Sequence, residues 1–239
     1  MVHCLSLGNL IYNGERGVGS DKIFQKRKFR KAKELARQKA KKSPHETVQI
    51  ICEGKTEFGY FNKLVKFFRL NTANVIVVTS KGSAPISIVE HGIEIAKNTF
   101  NIDCITCVFD RDNHESYERA IKKIKDHKPK RNDKSKPKYK AITSAPCFEI
   151  WLLLHFCYTT KAYTSSGNKS AADNLISDLS KHLVSYAKHT TDWFDDLIDN
   201  LNTALKNARQ LQKHNNDTRS NNPATNIHEL IEQLTNLKK

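Results

Sequence analysis

Thr47-Val48-Gln49-Ile50-Ile51-Cys52-Glu53-Gly54-Lys55-Thr56-Glu57 is the stretch that decides the fold. Thr47 to Cys52 is a short apolar run closed by a turn signal, which reads as a buried strand. A carboxylate follows at once, then a glycine able to turn sharply, then a helix with Glu57 near its start. That helix runs from Thr56 to Leu70, with Phe58, Phe61, Leu64, Val65 and Phe68 at helical spacing. Thr56 stands where a capping hydroxyl is useful.

The same alternation continues outward. Asn74 to Thr79 reads as a second strand, and residues 84 to 99 as a helix with Ile86, Val89, Ile93 and Ala96 on one face. Cys104 to Phe109 is a third strand, residues 114 to 127 a third helix, and Tyr139 to Ser144 a short fourth strand. Pro146 opens a very apolar helix, Cys147 to Phe156. Strand–helix alternation of this kind predicts an α/β domain over residues 44–158, a parallel sheet with helices on both faces.

Two flanking regions differ in character. Residues 1–43 form a basic arm: residues 22 to 42 hold eleven Lys/Arg and one Glu on helix-forming sequence, with no core-forming stripe, while the first twenty residues lack periodicity and are expected to be poorly ordered. Residues 159–239 read as a helical region, with segments at 171–188, 192–214 and 227–238 and no strand; Asn215-Asn216-Asp217 signals a stop. This region is expected to pack on the sheet or to recruit a partner.

Composition bears on partners. The 239 residues carry 40 Lys+Arg against 25 Asp+Glu, a formal charge of +15, which favours an anionic partner, nucleic acid above all. Hydrophobic residues make up 38%, low for a compact domain, so part of the chain is polar tail or loop. Cys52, Cys104 and Cys107 lie in strand-like runs, where a thiol packs as a small hydrophobe. Cys104 and Cys107 form C-x-x-C, but positions three apart on a strand face opposite ways and do not share a metal. No apolar run approaches the roughly 18 residues of a membrane span, and Met1 to Gly19 lacks a signal-peptide pattern. A reduced, cytoplasmic setting is the expectation.

Chemistry-bearing residues fall at strand ends. In an open parallel sheet, ligands bind outside the carboxyl ends of the strands, which is where Glu53 stands. Asp110-Arg111-Asp112 follows the third strand, and two carboxylates two positions apart suit Mg²⁺, which takes one or two of them and keeps several waters. The plainer alternatives are an exposed loop acid at Glu53 and a helix cap at the aspartates. Glu149 sits inside the apolar Pro146 to Phe156 block, where an acid needs a metal or a buried Arg or Lys partner. His155 is read as a structural histidine or a ligand. The basic loop Lys128 to Lys138, with Lys130, Arg131 and Lys134, is either a phosphate contact or a solvated loop.

VQIICEGKTE followed by a strand-terminal D-x-D resembles the Toprim fold of topoisomerases, primases and OLD-family nucleases. ICEGKTEFGYF, VFDRD, APCFEIWLLLHF and the closing NPATNIHELIEQL together resemble the RloB-like family, associated with bacterial restriction and phage-defence loci. The resemblance runs from residue 47 to the C-terminus. It implies a Toprim-like (Rossmann-like) domain in which Glu53 acts as general acid/base or completes a metal site, and Asp110 and Asp112 bind Mg²⁺ or Mn²⁺. Glu57 and Glu149 match further acidic positions of the family. The expected activity is metal-dependent hydrolysis of DNA or RNA in anti-phage defence, with Lys55, Lys130, Arg131 and Lys134 neutralising phosphate. The alternative is a non-catalytic nucleic-acid-binding or effector subunit. The sequence has no Walker A motif, so an ATPase of the same defence locus, if one takes part, is a partner chain.

Overall fold

The structure, a computed structural model, describes Arg30 and residues 46–72, 74–99, 101–111, 115–127, 129 and 136–237. The chain divides into two compact units, Met1–Lys41 and Lys42–Lys239. In the first only Arg30 is described, helical and exposed; the basic arm otherwise lies outside the described residues. The second unit contains the sheet.

The predicted alternation is present: β1 (Val48–Cys52), α1 (Lys55–Phe67), β2 (Val75–Thr79), α2 (Pro85–Asn98), β3 (Cys104–Asp110), α3 (Tyr117–Asp126) and β4 (Lys138–Ala145). Strand order is β2-β1-β3-β4, all parallel, closed at one edge by the two-residue β5 (Ala224–Thr225) antiparallel to β4. This is a Rossmann-like arrangement. β1 is wholly buried and β3 buried up to its last residue, as central parallel strands covered on both faces must be.

Alternation along the strands sorts the core into two layers. Val48, Ile50 and Cys52 of β1 and Cys104 and Val108 of β3 face one layer, with Tyr60, Phe61, Leu64 and Val65 of α1. Ile51, Ile105, Cys107 and Phe109 face the other, with Ile88, Val89 and Ile93 of α2 and Ala120 and Ile124 of α3. Cys104 and Cys107 therefore lie on opposite faces, and both are free thiols.

The helical region does not stand apart. α4 (Glu149–Leu153), α5 (Ala171–Leu179), α6 (Phe194–Ile198), α7 (Leu201–Thr218) and α8 (Ile227–Asn236) bury Trp151, Leu175, Leu179, Trp193, Leu197, Leu211 and Ile231 in the same layer as α1. Among the described residues, no helix is long and apolar enough to cross a membrane.

The structure departs from the sequence expectations at several places, and the segment expected over 192–214 is broken into α6 and α7 at Asp199 and Asn200. The helix foreseen over Cys147 to Phe156 spans only Glu149–Leu153. Its end is diverted by His155, whose Nδ1 lies 3.0 Å from the Trp151 carbonyl while its own N–H donates to Leu152 O at 3.2 Å. The segment at 171–188 stops at Leu179, where Ser180 turns its hydroxyl onto Ile176 O at 2.9 Å, a local bond that competes with helix. Asn215 to Asp217 are not a stop: α7 runs through them to Thr218, and Asn215 donates instead to Pro223 O at 2.8 Å. Arg219, in the left-handed region at φ 56°, ends that helix. Finally, β5 is a strand where none was foreseen, too short for a periodic signal.

The closing segment is tied to β4 by asparagine side chains. Asn226 accepts from Thr143 N–H at 2.6 Å and donates to Ala141 O at 3.2 Å, continuing beyond β5 the pairing that β4 needs. Asn222 does the same for the 160s, donating to Tyr163 O at 2.7 Å and accepting its N–H at 3.2 Å. Replacing Asn226 by Ala strands a donor and an acceptor of β4 at once. We expect a loss of about 1–3 kcal/mol in unfolding free energy by denaturant titration; an unchanged midpoint would show that β4 does not depend on this side chain.

Candidate functional site

β1 leads by α1 to β2 on one side of the sheet, whereas β3 lies on its other side, so the chain reverses its direction of growth between β1 and β3. In a sheet of this order the two flanking connections part at that point and leave a crevice at the carboxyl ends. Glu53 directly follows β1, and Asp110 is the last residue of β3. The Glu53 N–H donates to Val108 O at 3.1 Å, and its carboxylate Oε2 accepts the N–H of Asp110 at 3.0 Å. The Arg111 N–H donates to Ser144 O at 2.6 Å, so the chain leaving β3 is held by β4 on the far side. Two expected site residues are thus brought to adjacent strand ends, both half-buried. Asp112, Lys130, Arg131 and Lys134 lie outside the described residues. Lys55 is exposed, as the first residue of α1 beside this crevice.

Gly54 has a use other than the one foreseen. Its backbone is extended (φ −122°), so no sharp turn requires a glycine there. A Cβ at Gly54 would instead lie 2.8 Å from Glu57 Oε2, the oxygen that accepts the Gly54 N–H at 3.1 Å. The glycine makes room for the Glu57 carboxylate to fold back and cap α1. Thr56, the expected cap, is buried and accepts the His189 N–H at 3.4 Å.

Glu57 is buried, and burial pushes its carboxyl up to about 7, with the negative charges of Glu149 and Glu53 adding to the rise and its backbone hydrogen bonds opposing it. Glu149 is 5% exposed, and among the described residues it forms no ion pair with Arg or Lys: the Tyr186 hydroxyl donates to its Oε1. The phenol's own ionisation is pushed up by burial and then by Glu149. Cys147 stands at the same edge, its thiol raised by burial and by Glu149 and Asp110. Tyr186 lies after α5, within the 171–188 segment expected to be helical, and no motif marks it as a partner for Glu149. His155 belongs elsewhere: 1% exposed, edge-on to Trp151 with ring centroids 5.0 Å apart, and lowered by burial to about 4, it is a neutral core residue.

Carboxylates from three separate segments therefore stand at the carboxyl edge, and the raised Glu57 carboxyl reflects burial first and then the charges of Glu149 and Glu53. All are hard oxygen donors, the chemistry that suits Mg²⁺ or Mn²⁺. Among the described residues no group of three or more His, Cys, Asp and Glu side chains is arranged to hold a metal ion. Glu53 and Asp110 supply two positions, and the third expected one, Asp112, lies outside the described residues.

Fold and edge together define an open α/β protein with an acidic crevice at its switch point. Its sequence places it more narrowly: the model of the family described as RloB-like protein matches residues 48–234, and the chain belongs to the RloB-like family. No curated protein and no solved structure matches it.

Glu57 gives a pH test. Its ordinary value is 4.5 and its folded value about 7, so between those limits the folded chain holds more protons than the unfolded one. The group thus lowers stability as pH rises, its effect absent below the ordinary value and complete above the folded one. Glu57→Gln keeps the acceptor for the Gly54 N–H but removes the charge. In metal-free buffer the variant should be more stable than wild type at alkaline pH, by at most about 3 kcal/mol, and the gap should close as pH falls through this window. A gap independent of pH in denaturant titrations would mean that Glu57 is not the titrating group.

Proposed function

We propose that this RloB-like protein is a metal-dependent phosphodiesterase acting on nucleic acid, a Toprim-type nuclease of a bacterial anti-phage system. The observation that carries the reading is the pairing of Glu53 with the backbone N–H of Asp110 across the switch point of the sheet. Glu53, Asp110 and Asp112, with Glu149 behind them, would hold Mg²⁺ or Mn²⁺. When bound, the ion supplies charge to the scissile phosphate and lowers the pKa of water.

The chain's own groups have definite tasks in this reading. A water oxygen attacks phosphorus, the bond to the leaving sugar oxygen breaks, and that oxygen takes up a proton. Glu53, half-buried and at the mouth of the crevice, accepts the proton from water or delivers one to the leaving oxygen. Glu57, held near neutrality beneath it, buffers the charge that Glu53 gains or loses. Tyr186 holds Glu149 in one orientation. Lys55 at the start of α1, together with Lys130, Arg131 and Lys134, neutralises backbone phosphate of DNA or RNA, in keeping with the +15 formal charge. A cytoplasmic setting and a partner ATPase from the same defence locus complete the proposal.

A second reading is a non-catalytic nucleic-acid-binding or effector subunit that works with such an ATPase. The +15 formal charge supports it, since it accounts for nucleic-acid binding without requiring cleavage.

Asp110→Asn and Glu53→Gln separate the two. On the nuclease reading each lowers Mg²⁺- or Mn²⁺-dependent cleavage of a nucleic-acid panel by about 10²-fold or more. Each also leaves the melting temperature in EDTA equal or higher, because one of several repelling carboxylates is gone. Variants that melt lower in EDTA yet still cleave would refute the metal-site reading. A wild type that binds nucleic acid but never cleaves it would favour the second.

A further inference from the structure

Beside the acidic edge, past the carboxyl ends of β3 and β4, the surface opens into a cleft of about 700 Å³. Its lining is chemically one-sided. Arg111 supplies a cation, while none of the described lining residues is an Asp or Glu. The guanidinium stands over the Tyr117 ring at 5.3 Å and forms no ion pair with a described carboxylate. Ser165 and Asn221, both exposed, bring a hydroxyl and an amide to the same lining. Ala145 and Pro146 form a low apolar wall. Arg111 is the residue next to Asp110, and its backbone is pinned to β4 by the bond to Ser144 O, so cleft and acidic edge meet at consecutive residues of the chain.

A cation among neutral hydrogen-bonding groups, walled by small apolar residues in the described lining, suits a ligand with one negative charge per repeating unit and a less polar body between charges. The volume falls in the range of small-ligand sites and takes a unit the size of a nucleotide. We infer that this cleft carries the nucleic-acid strand adjoining the scissile bond: one phosphodiester rests on Arg111, and its sugar lies against Ala145 and Pro146. The inference rests on the nucleic-acid reading above and adds to it the path of the strand. Opposite charges side by side then have a purpose, since Arg111 draws in the flanking phosphate that the carboxylates of the edge repel.

The test is fluorescence anisotropy with the full chain in EDTA, using a short labelled single-stranded DNA, the same sequence as RNA, and labelled AMP. Arg111→Ala should raise the oligonucleotide Kd several-fold and reduce the salt slope by about 1. Arg111→Lys should recover part of the loss. Ser165→Glu, at an exposed position where folding is not at risk, should weaken binding comparably. Lys97→Glu, at the C-terminal end of α2 and so at the opposite edge of the sheet, should bind like wild type. If Arg111→Ala and Ser165→Glu bind oligonucleotides as wild type does, or if Lys97→Glu is as harmful as they are, the cleft is not the strand's path. Loss of AMP binding with oligonucleotide binding intact would make it a free-nucleotide site and overturn the inference. Wild type that binds no oligonucleotide overturns the nucleic-acid reading together with this one, whereas cleft-dependent binding without cleavage sinks the hydrolase reading alone.

Discussion

The parallel pairing of β1 with β3 is the constraint on which the rest depends. Register places Cys52 opposite Val108, so Glu53 emerges level with the end of β3 and its carboxylate reaches the N–H of Asp110. A slip of one residue would turn every β1 side chain to the other layer, moving Val48, Ile50 and Cys52 away from α1 and aiming the acid elsewhere. Burial of both faces of β1 and β3 forbids that slip. The packing that makes the core thus also fixes the acidic edge, and no separate device is needed to aim Glu53.

Against that stable frame the edge itself is held at an energetic disadvantage. Glu57 and Glu149 are both buried, neither forms an ion pair among the described residues, and burial first, then neighbouring charge, raises the Glu57 carboxyl to about 7. The fold retains them through particular contacts: Gly54 leaves the space into which the Glu57 carboxylate turns, and Tyr186 donates to Glu149. Removing charge there should be tolerated by the fold, while a Cβ at Gly54 would push the Glu57 carboxylate out of its capping position. Sites that bear such unfavourable charge are where function is sought first.

Much of this is legible in the sequence because apolar runs bounded by turns leave few alternatives. The bounds of β1 and β3 lie within a residue of those their apolar runs predict, and the strand-end positions of Glu53 and Asp110 follow. The parts that are not legible depend on contacts distant in the chain. Gly54 looks like a turn residue, although its role depends on where the Glu57 side chain comes to rest. Asn215 looks like a helix stop, yet its amide is used by Pro223. Tyr186 carries no motif that marks its role, since the partner that gives it one, Glu149, lies 37 residues away. β5 owes its strand character to the waiting edge of β4 rather than to its own two residues.

If the crowded carboxylates at the β1/β3 switch point exist to receive a divalent cation, the metal-free chain should bind one without any substrate. Calorimetric titration with Mn²⁺ measures this directly. Wild type is expected to bind saturably and to release the proton that Glu57 retains near neutral pH, and Asp110→Asn is expected to lose both. Saturable binding that survives Asp110→Asn unchanged, or no binding by wild type at all, would contradict a metal site at this edge.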